Sequence, residues 1–257
     1  MTTSSQRPVN ETAWAARIEP PSQRTWPAHE VMGFQNWQLR FSGGFSHRAN
    51  SVAAFSFTGA NVEAAIDEVE RQYRARGLKP MFQVTAVAPP NLAEVLTRRG
   101  YRPTTPSLVC VGVAQEVRTC CASYQAGEIT HAANADLDAL VVEGSHSEDD
   151  GRKRLATLAR ITVPLVRVTV YIDGKGVACG VAAAADGLAG INLMRTHPAF
   201  RRRGFARRVL GDIADWSIGH GIDTLALTVE RDNAPARALY EAVRFAVAYD
   251  YLYYVLD

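Results

Sequence analysis

Residues 198–210, Pro-Ala-Phe-Arg-Arg-Arg-Gly-Phe-Ala-Arg-Arg-Val-Leu, constrain the chain more than any other stretch. An apolar run (Ile191, Leu193, Met194) precedes them. Small or apolar residues then recur at Ala206, Val209, Leu210, Ile213, Trp216 and Ser217, the spacing of one helix face. The order is strand, arginine- and glycine-bearing turn, helix. Such a turn aims several backbone N–H groups at one point, where the positive end of the helix dipole also lies. Gly204 and Ala206 let a bulky anion approach the backbone. Five arginines between 201 and 208 add to the positive field. The stretch predicts a phosphate or pyrophosphate site.

Residues 223–230 (Asp-Thr-Leu-Ala-Leu-Thr-Val-Glu) read as a buried strand. Residues 231–245 read as a capped helix, with Asp232 or Asn233 at its start and Pro235 in the first turn. The spacing Arg201-x-x-Gly204-x-Ala206 resembles the pyrophosphate signature of the GNAT superfamily of N-acetyltransferases. Asn233, Ala236, Leu239, Tyr240 and Phe245 resemble that family's second signature, in the matching order. Arg244 stands where the family usually carries glycine.

The remaining chain supports one large or two small domains. Apolar residues make up 47% of it, enough for a real core. The formal charge of +2 argues against a dedicated polyanion binder, so no nucleic-acid partner is expected. Cys110, Cys120, Cys121 and Cys179 have neither zinc-site nor disulfide spacing, and no His-Glu-x-x-His occurs, so no metal is expected. No apolar run reaches a membrane span and the N-terminus does not read as a secretory signal. The expectation is a cytoplasmic protein, monomeric or homodimeric.

Residues 1–22 read as a flexible segment, with a short helix over 11–18 stopped by Pro20 and Pro21. Strands are expected over 37–41 and 47–55 around a glycine turn, a helix over 61–76, a strand over 81–87, a helix over 90–99 and a strand over 108–113. Residues 114–125 lack a clear period. Strands over 128–131, 165–172, 177–184 and 187–196 follow, with helices over 135–142 and 152–161 and an acidic loop at 143–150. Its carboxylates suit a cationic amine or a solvated loop. The order helix, glycine, strand, helix, strand occurs in both halves, which reads as an internal duplication. The expected fold is a mixed-sheet α/β arrangement of two GNAT-like domains in tandem: a degenerate one at 23–117, a linker at 118–125 and a catalytic one at 126–257. Residues 37–52 resemble the first half of two-domain bacterial GNAT proteins. Arg48, Asn50 and Ser51 there read as a buried polar network or as residues reaching the acceptor cleft.

The resemblance implies an acetyl-coenzyme A-dependent N-acetyltransferase. Acetyl would pass to a primary amine of a small molecule or peptide, by direct attack in a ternary complex. Leu193, Met194, Arg195 and Thr196 would form the bulged strand that holds the cofactor arm. Arg201, Arg202, Arg203, Gly204, Phe205, Ala206 and Arg207 would hold its pyrophosphate. Asn233, Ala236 and Tyr240 would complete the cofactor site. Tyr240 would protonate the leaving thiolate, and Glu230, at a strand end, is the candidate base. A non-catalytic acyl-coenzyme A-binding module is the alternative. Tyr249, Tyr251, Tyr253 and Tyr254 read as packing residues of the last strand.

Overall fold

The structure, a computed structural model, describes residues 10–44 and 46–256. Helix α1 (Glu11–Thr25) leads into strands β1 (Glu30–Phe34), β2 (Trp37–Phe41) and β3 (Val52–Ala53). Next come α2 (Val62–Ala75), β4 (Met81–Val84), α3 (Leu92–Arg98), β5 (Arg102–Val113) and α4 (Ala114–Cys121). The second half runs β6 (Glu128–Thr130), α5 (Ala135–Glu143), α6 (Glu148–Ala159), β7 (Leu165–Ile172), β8 (Lys175–Ala185) and β9 (Leu188–Thr196). It closes with α7 (Phe205–Gly219), β10 (Thr224–Glu230), α8 (Ala234–Ala242) and β11 (Ala246–Val255).

All strands form one mixed sheet of eleven, in the order β1-β2-β3-β4-β11-β5-β10-β9-β8-β7-β6. The mixed α/β class is as expected, and the centre of the sheet joins the two halves. Strand β11 lies antiparallel between β4 and β5, while β5 lies antiparallel between β11 and β10. Each half thus places its last strand beside the other half's strands. Residues 23–117 and 126–257 share this sheet.

Helices α4 and α7 bury Val117, Val209, Leu210 and Ile213 against one face of the second-half strands. Helix α5 covers the opposite face through Leu137, Leu140 and Val141. On the first half, α2 and α3 close over Trp37, Leu39, Phe82 and Tyr101. Helix α1 lies on the other side, over Val109, Ala226 and Tyr249.

Several sequence expectations need correction. From Glu11 onward the segment expected to be flexible is helical, and α1 runs through Pro20 and Pro21 to Thr25. Interior prolines cost a helix about 3 kcal/mol or more each. Burial of Ile18, Glu19, Pro21 and Thr25 against the sheet holds the helix together. Ser22 Oγ also donates to the Ile18 carbonyl at 2.7 Å, and Gln23 Nε2 to that of Glu19 at 3.3 Å. Residues 1–9 of that expectation lie outside the described residues. Residues 47–49 form a 3-10 turn instead of a strand. The aperiodic stretch 114–125 begins as helix α4, which buries Ala114, Val117 and Cys121. The acidic loop is partly helix: Glu148, Asp149 and Asp150 form the first turn of α6, capped by Ser147. They pair one turn on with Arg152, Lys153 and Arg154.

The polar stretch of residues 48–51 serves two ends. Asn50 Oδ1 accepts from the backbone N–H groups of Ser42 (2.6 Å) and Gly44 (3.0 Å), and Ser51 accepts from Arg40. Arg48 instead crosses to the second half and donates to Asn192 Oδ1 at 2.7 Å. Beneath α1, buried Glu19 accepts from Tyr249 Oη at 2.8 Å and from Gln83 Nε2 at 3.1 Å.

Candidate active site

The site grows from a defect in the sheet. Strands β9 and β10 pair in parallel only at Leu188–Thr224, Ala189–Leu225 and Gly190–Ala226, and then diverge. Strand β9 continues along β8, and β10 along β5. The edge of β9 beyond Gly190 therefore has no strand partner on the β10 side. A bulge falls in this free part. Val181 pairs with Asn192 and Cys179 with Arg195, so β9 holds one residue more than β8 there. Leu193 adopts φ 54°, a left-handed conformation that an L-residue holds only at a cost.

Past the bulge, a 3-10 turn (Pro198–Phe200) leads into residues 201–204. Arg202 and Gly204 both have positive φ, 63° and 86°. This reversal aims the chain into α7, whose first turn no side chain caps. The N–H groups opening α7 thus face the space in front of the helix, at the positive end of its dipole. A cavity of about 880 Å³ lies there, bounded by the bulged strand, the turn, α7, α8 and the C-terminal end of α5. An open strand edge, uncapped helix N–H groups and arginines on one cavity can receive an extended arm ending in a diphosphate.

The chain matches the family described as "Probable histone acetyltransferase Rv0428c C-terminal" over residues 12–254. The chain belongs to this family. It is an acyltransferase of the GNAT type. It is 21% identical over 239 residues to the uncharacterized N-acetyltransferase YobR of Bacillus subtilis (strain 168), covering 90% of this chain and 94% of the relative. A GCN5-related N-acetyltransferase from Kribbella flavida has a similar fold, with TM-score 0.71, 15% identity and coverage of 97% and 96%. A tandem GNAT protein from the clavulanic acid biosynthesis pathway does so with TM-score 0.63, 9% identity and coverage of 78% and 72%.

Most of the residues expected from the sequence converge on the cavity of this acyltransferase. Met194, Arg195 and Thr196 line it from β9. Arg201, Arg202, Gly204, Phe205, Ala206 and Arg207 line it from the turn and α7, and Asn233 and Ala236 from α8. Asn233 also caps α8, its Oδ1 accepting from the Ala236 N–H at 3.2 Å.

Four expected residues do not line the cavity. Leu193 turns into the cluster of Trp26, Leu137 and Leu140, because the bulge directs it to the α5 face. Arg203 lies over the rings of Phe200 and Phe205, 5.1 and 5.4 Å from their centroids. Tyr240 is buried among Cys110, Val243 and Phe245, behind the wall formed by Ala236 and Leu239. Burial pushes its hydroxyl up to about 12, against the lowering field of Arg195. Glu230 ends β10 as an exposed side chain. The half-buried imidazole of His47 feels its charge: burial pushes the His47 pKa down and Glu230 raises it.

Some lining residues carried no sequence signal. Tyr124 comes from the stretch after α4, and its ring lies on Gly204. Arg207 Nη1 donates to Tyr124 Oη at 2.8 Å, with the guanidinium 4.8 Å from the ring centroid. Leu140, Glu143 and Gly144 enter from the end of α5. A long-range approach of this kind leaves no periodicity to read. His197 and Phe200 flank the signature, and proximity to it was their only available signal. Among the described residues, no group of three or more His, Cys, Asp or Glu could hold a metal ion, and no helix is long and apolar enough to cross a membrane.

Proposed function

We propose that the chain transfers acetyl from acetyl-coenzyme A to a primary amine of a small molecule or peptide, by direct attack within a ternary complex. The observation that carries this reading is the conjunction on one cavity of the bulged, partnerless edge of β9 and the uncapped, arginine-flanked start of α7. The donor set suits the cofactor's chemistry. The N–H groups of residues 204–207, with Arg201, Arg202 and Arg207, would hold the diphosphate. The free edge of β9 at Met194–Thr196 would pair with the amide-bearing arm as an added strand pairs. Acetyl-coenzyme A supplies the activated thioester. N–H groups released by the bulge would stabilise the charge that develops on its carbonyl oxygen. Tyr240, a weak acid whose hydroxyl keeps its proton at neutral pH and feels the field of cavity-lining Arg195, would be the proton donor to the departing thiolate, a step that requires the thiolate to come within hydrogen-bond reach of it. Glu230, near His47 at the open end of β10, would take the amine's proton through solvent.

The same reading assigns the cofactor to residues 126–257. Residues 23–117 become a degenerate copy: α2-β4-α3-β5 repeats the order of α7-β10-α8-β11, and the exchange of β5 and β11 at the sheet centre supports an ancestral duplication. The test is calorimetric titration with acetyl-coenzyme A of the wild type and of an Arg201→Glu/Gly204→Glu variant. One site per chain, lost in the variant, is expected. Two sites would refute the degenerate first half, and no binding by the wild type would refute the acetyl-transfer reading.

A further inference from the structure

Arg195 differs from the other arginines of the cavity. Its sheet partner Cys179 points into the α5 cluster, whereas Met194 beside it packs towards Val209 of α7. Arg195 therefore stands on the α5 side, away from the face that α7 covers. Its stem passes directly under Gly144, where a Cβ would come within 2.4 Å of Cδ and 2.7 Å of Nε. Of its five N–H donors, one from Nη1 reaches a protein acceptor, the Met194 carbonyl at 3.0 Å. Nε is buried without a partner. Among the described residues no carboxylate comes within ion-pair distance of it. Asp150, which contributes to its field, is bonded to Arg154, itself a second nearby cation.

A guanidinium keeps its charge in such surroundings, and a partly buried charge without a counter-ion is stabilised by a ligand that supplies one. On the acetyl-transfer reading the diphosphate has its own donors at the start of α7, which leaves the Arg195 side chain available to the acceptor. Glu143, at the end of α5, lines the same cavity, is exposed, and is not paired with Arg195. Two opposite charges on one cavity, not paired with each other, match a zwitterion.

We infer that the acceptor is an amino acid, whose carboxylate docks on Arg195 while its ammonium group is drawn in by Glu143. A carboxylate accepts from the remaining Nη1 and Nη2 N–H groups as a charge-assisted pair, which a neutral carboxamide does not form. The inference rests on the acetyl-transfer reading and names its acceptor class.

The experiment measures thiol release from acetyl-coenzyme A with each common L-amino acid and β-alanine, and with the matching carboxamides. Wild type, Arg195→Met, Arg195→Lys and Glu143→Gln proteins are compared, after each has been titrated with acetyl-coenzyme A alone. For at least one amino acid, wild-type kcat/KM should exceed that for its amide by about tenfold or more, as expected for a charge-assisted hydrogen-bond pair. Arg195→Met should bring this ratio to near one, and Arg195→Lys should restore part of it. Glu143→Gln should raise KM for acid and amide alike and leave the ratio in place. Equal use of acids and amides by the wild type would overturn the inference, as would a ratio that survives in Arg195→Met. Loss of acetyl-coenzyme A binding in Arg195→Met would overturn it by placing the guanidinium in the cofactor site. A wild type that prefers succinyl- to acetyl-coenzyme A would overturn it by assigning the carboxylate to the donor. Failure of the transfer reading itself would be seen separately, as absence of acetyl-coenzyme A binding before any amine is added.

Discussion

Gly204 is the residue on which the cavity turn depends, and replacing it with alanine tests the geometry directly. Its φ of 86° lies where an L-residue pays about 1–2 kcal/mol. The new Cβ would also stand 2.4 Å from Tyr124 Cδ1 and 2.8 Å from Cε1, so the ring must leave its place. Displacing a packed ring adds about 1–3 kcal/mol, for a total of about 2–5 kcal/mol. Tyr124→Ala alone should cost less. It removes the hydrogen bond from Arg207, about 1 kcal/mol, and a cation–π contact worth about 0.5–1 kcal/mol. In the double variant the clash has no partner, and only the backbone cost of alanine at position 204 persists. Equilibrium urea unfolding of the four proteins should therefore give a double variant about 1–3 kcal/mol more stable than the sum of the single losses demands. Additivity within about 0.5 kcal/mol would refute the reasoning, since it would mean that Tyr124 does not lie against Gly204.

Two further outcomes concern stability. Arg244 ends α8 with φ 70°, in the position that Gly77, Gly100 and Gly221 fill after α2, α3 and α7 with φ of 65°, 87° and 68°. Its side chain is exposed, so Arg244→Gly should raise the unfolding free energy read from urea titration by about 1 kcal/mol at most, once glycine's unfolded-state entropy is counted; a lowered stability would contradict the strain. Glu19 has its pKa raised above 4.5 by burial, only partly opposed by the hydrogen bond from Tyr249 and the charge of Arg40. A raised carboxyl favours folding below the unfolded value of 4.5 and loses that contribution as pH climbs through the folded value. Glu19→Gln should flatten this decline, so that its stability relative to wild type improves from pH 4.5 to pH 8; parallel stability–pH curves would rule the effect out.

Much of the site was legible because its chemistry is local. Arg201, Gly204 and Ala206 occupy consecutive turns of chain, and a strand–turn–helix order fixes where their N–H groups point. Asn233 was readable as a cap because capping is also a short-range event, completed three residues on at Ala236. Tyr240 and Glu230 show the limit of such reading. Both stand on the expected elements, but a helix turn of about 100° per residue and a strand end decide which side faces the cavity, and neither side chain lines it.

The sequence by itself determined much of the alternation of elements, the helix starts at Asn61, Asn134 and Asn233, and the arginine- and glycine-bearing turn before α7. These follow from periodicities of two and 3.6 residues and from hydrogen bonds spanning two or three positions. Tertiary structure alone decided the rest. Helix α1 survives two prolines because its buried face packs on strands far along the chain. Helix α4 carries only a two-turn stripe, Ala114, Val117 and Cys121, and its packing on α7 makes that stripe count. Strands β5 and β11 cross between the halves because hydrogen-bonding edges carry no sequence label, so which edges pair is chosen by the core that both sides can bury. Tyr124 and Gly144 reach the cavity for the same reason: contacts between segments separated by many residues are set by packing, which no local pattern records.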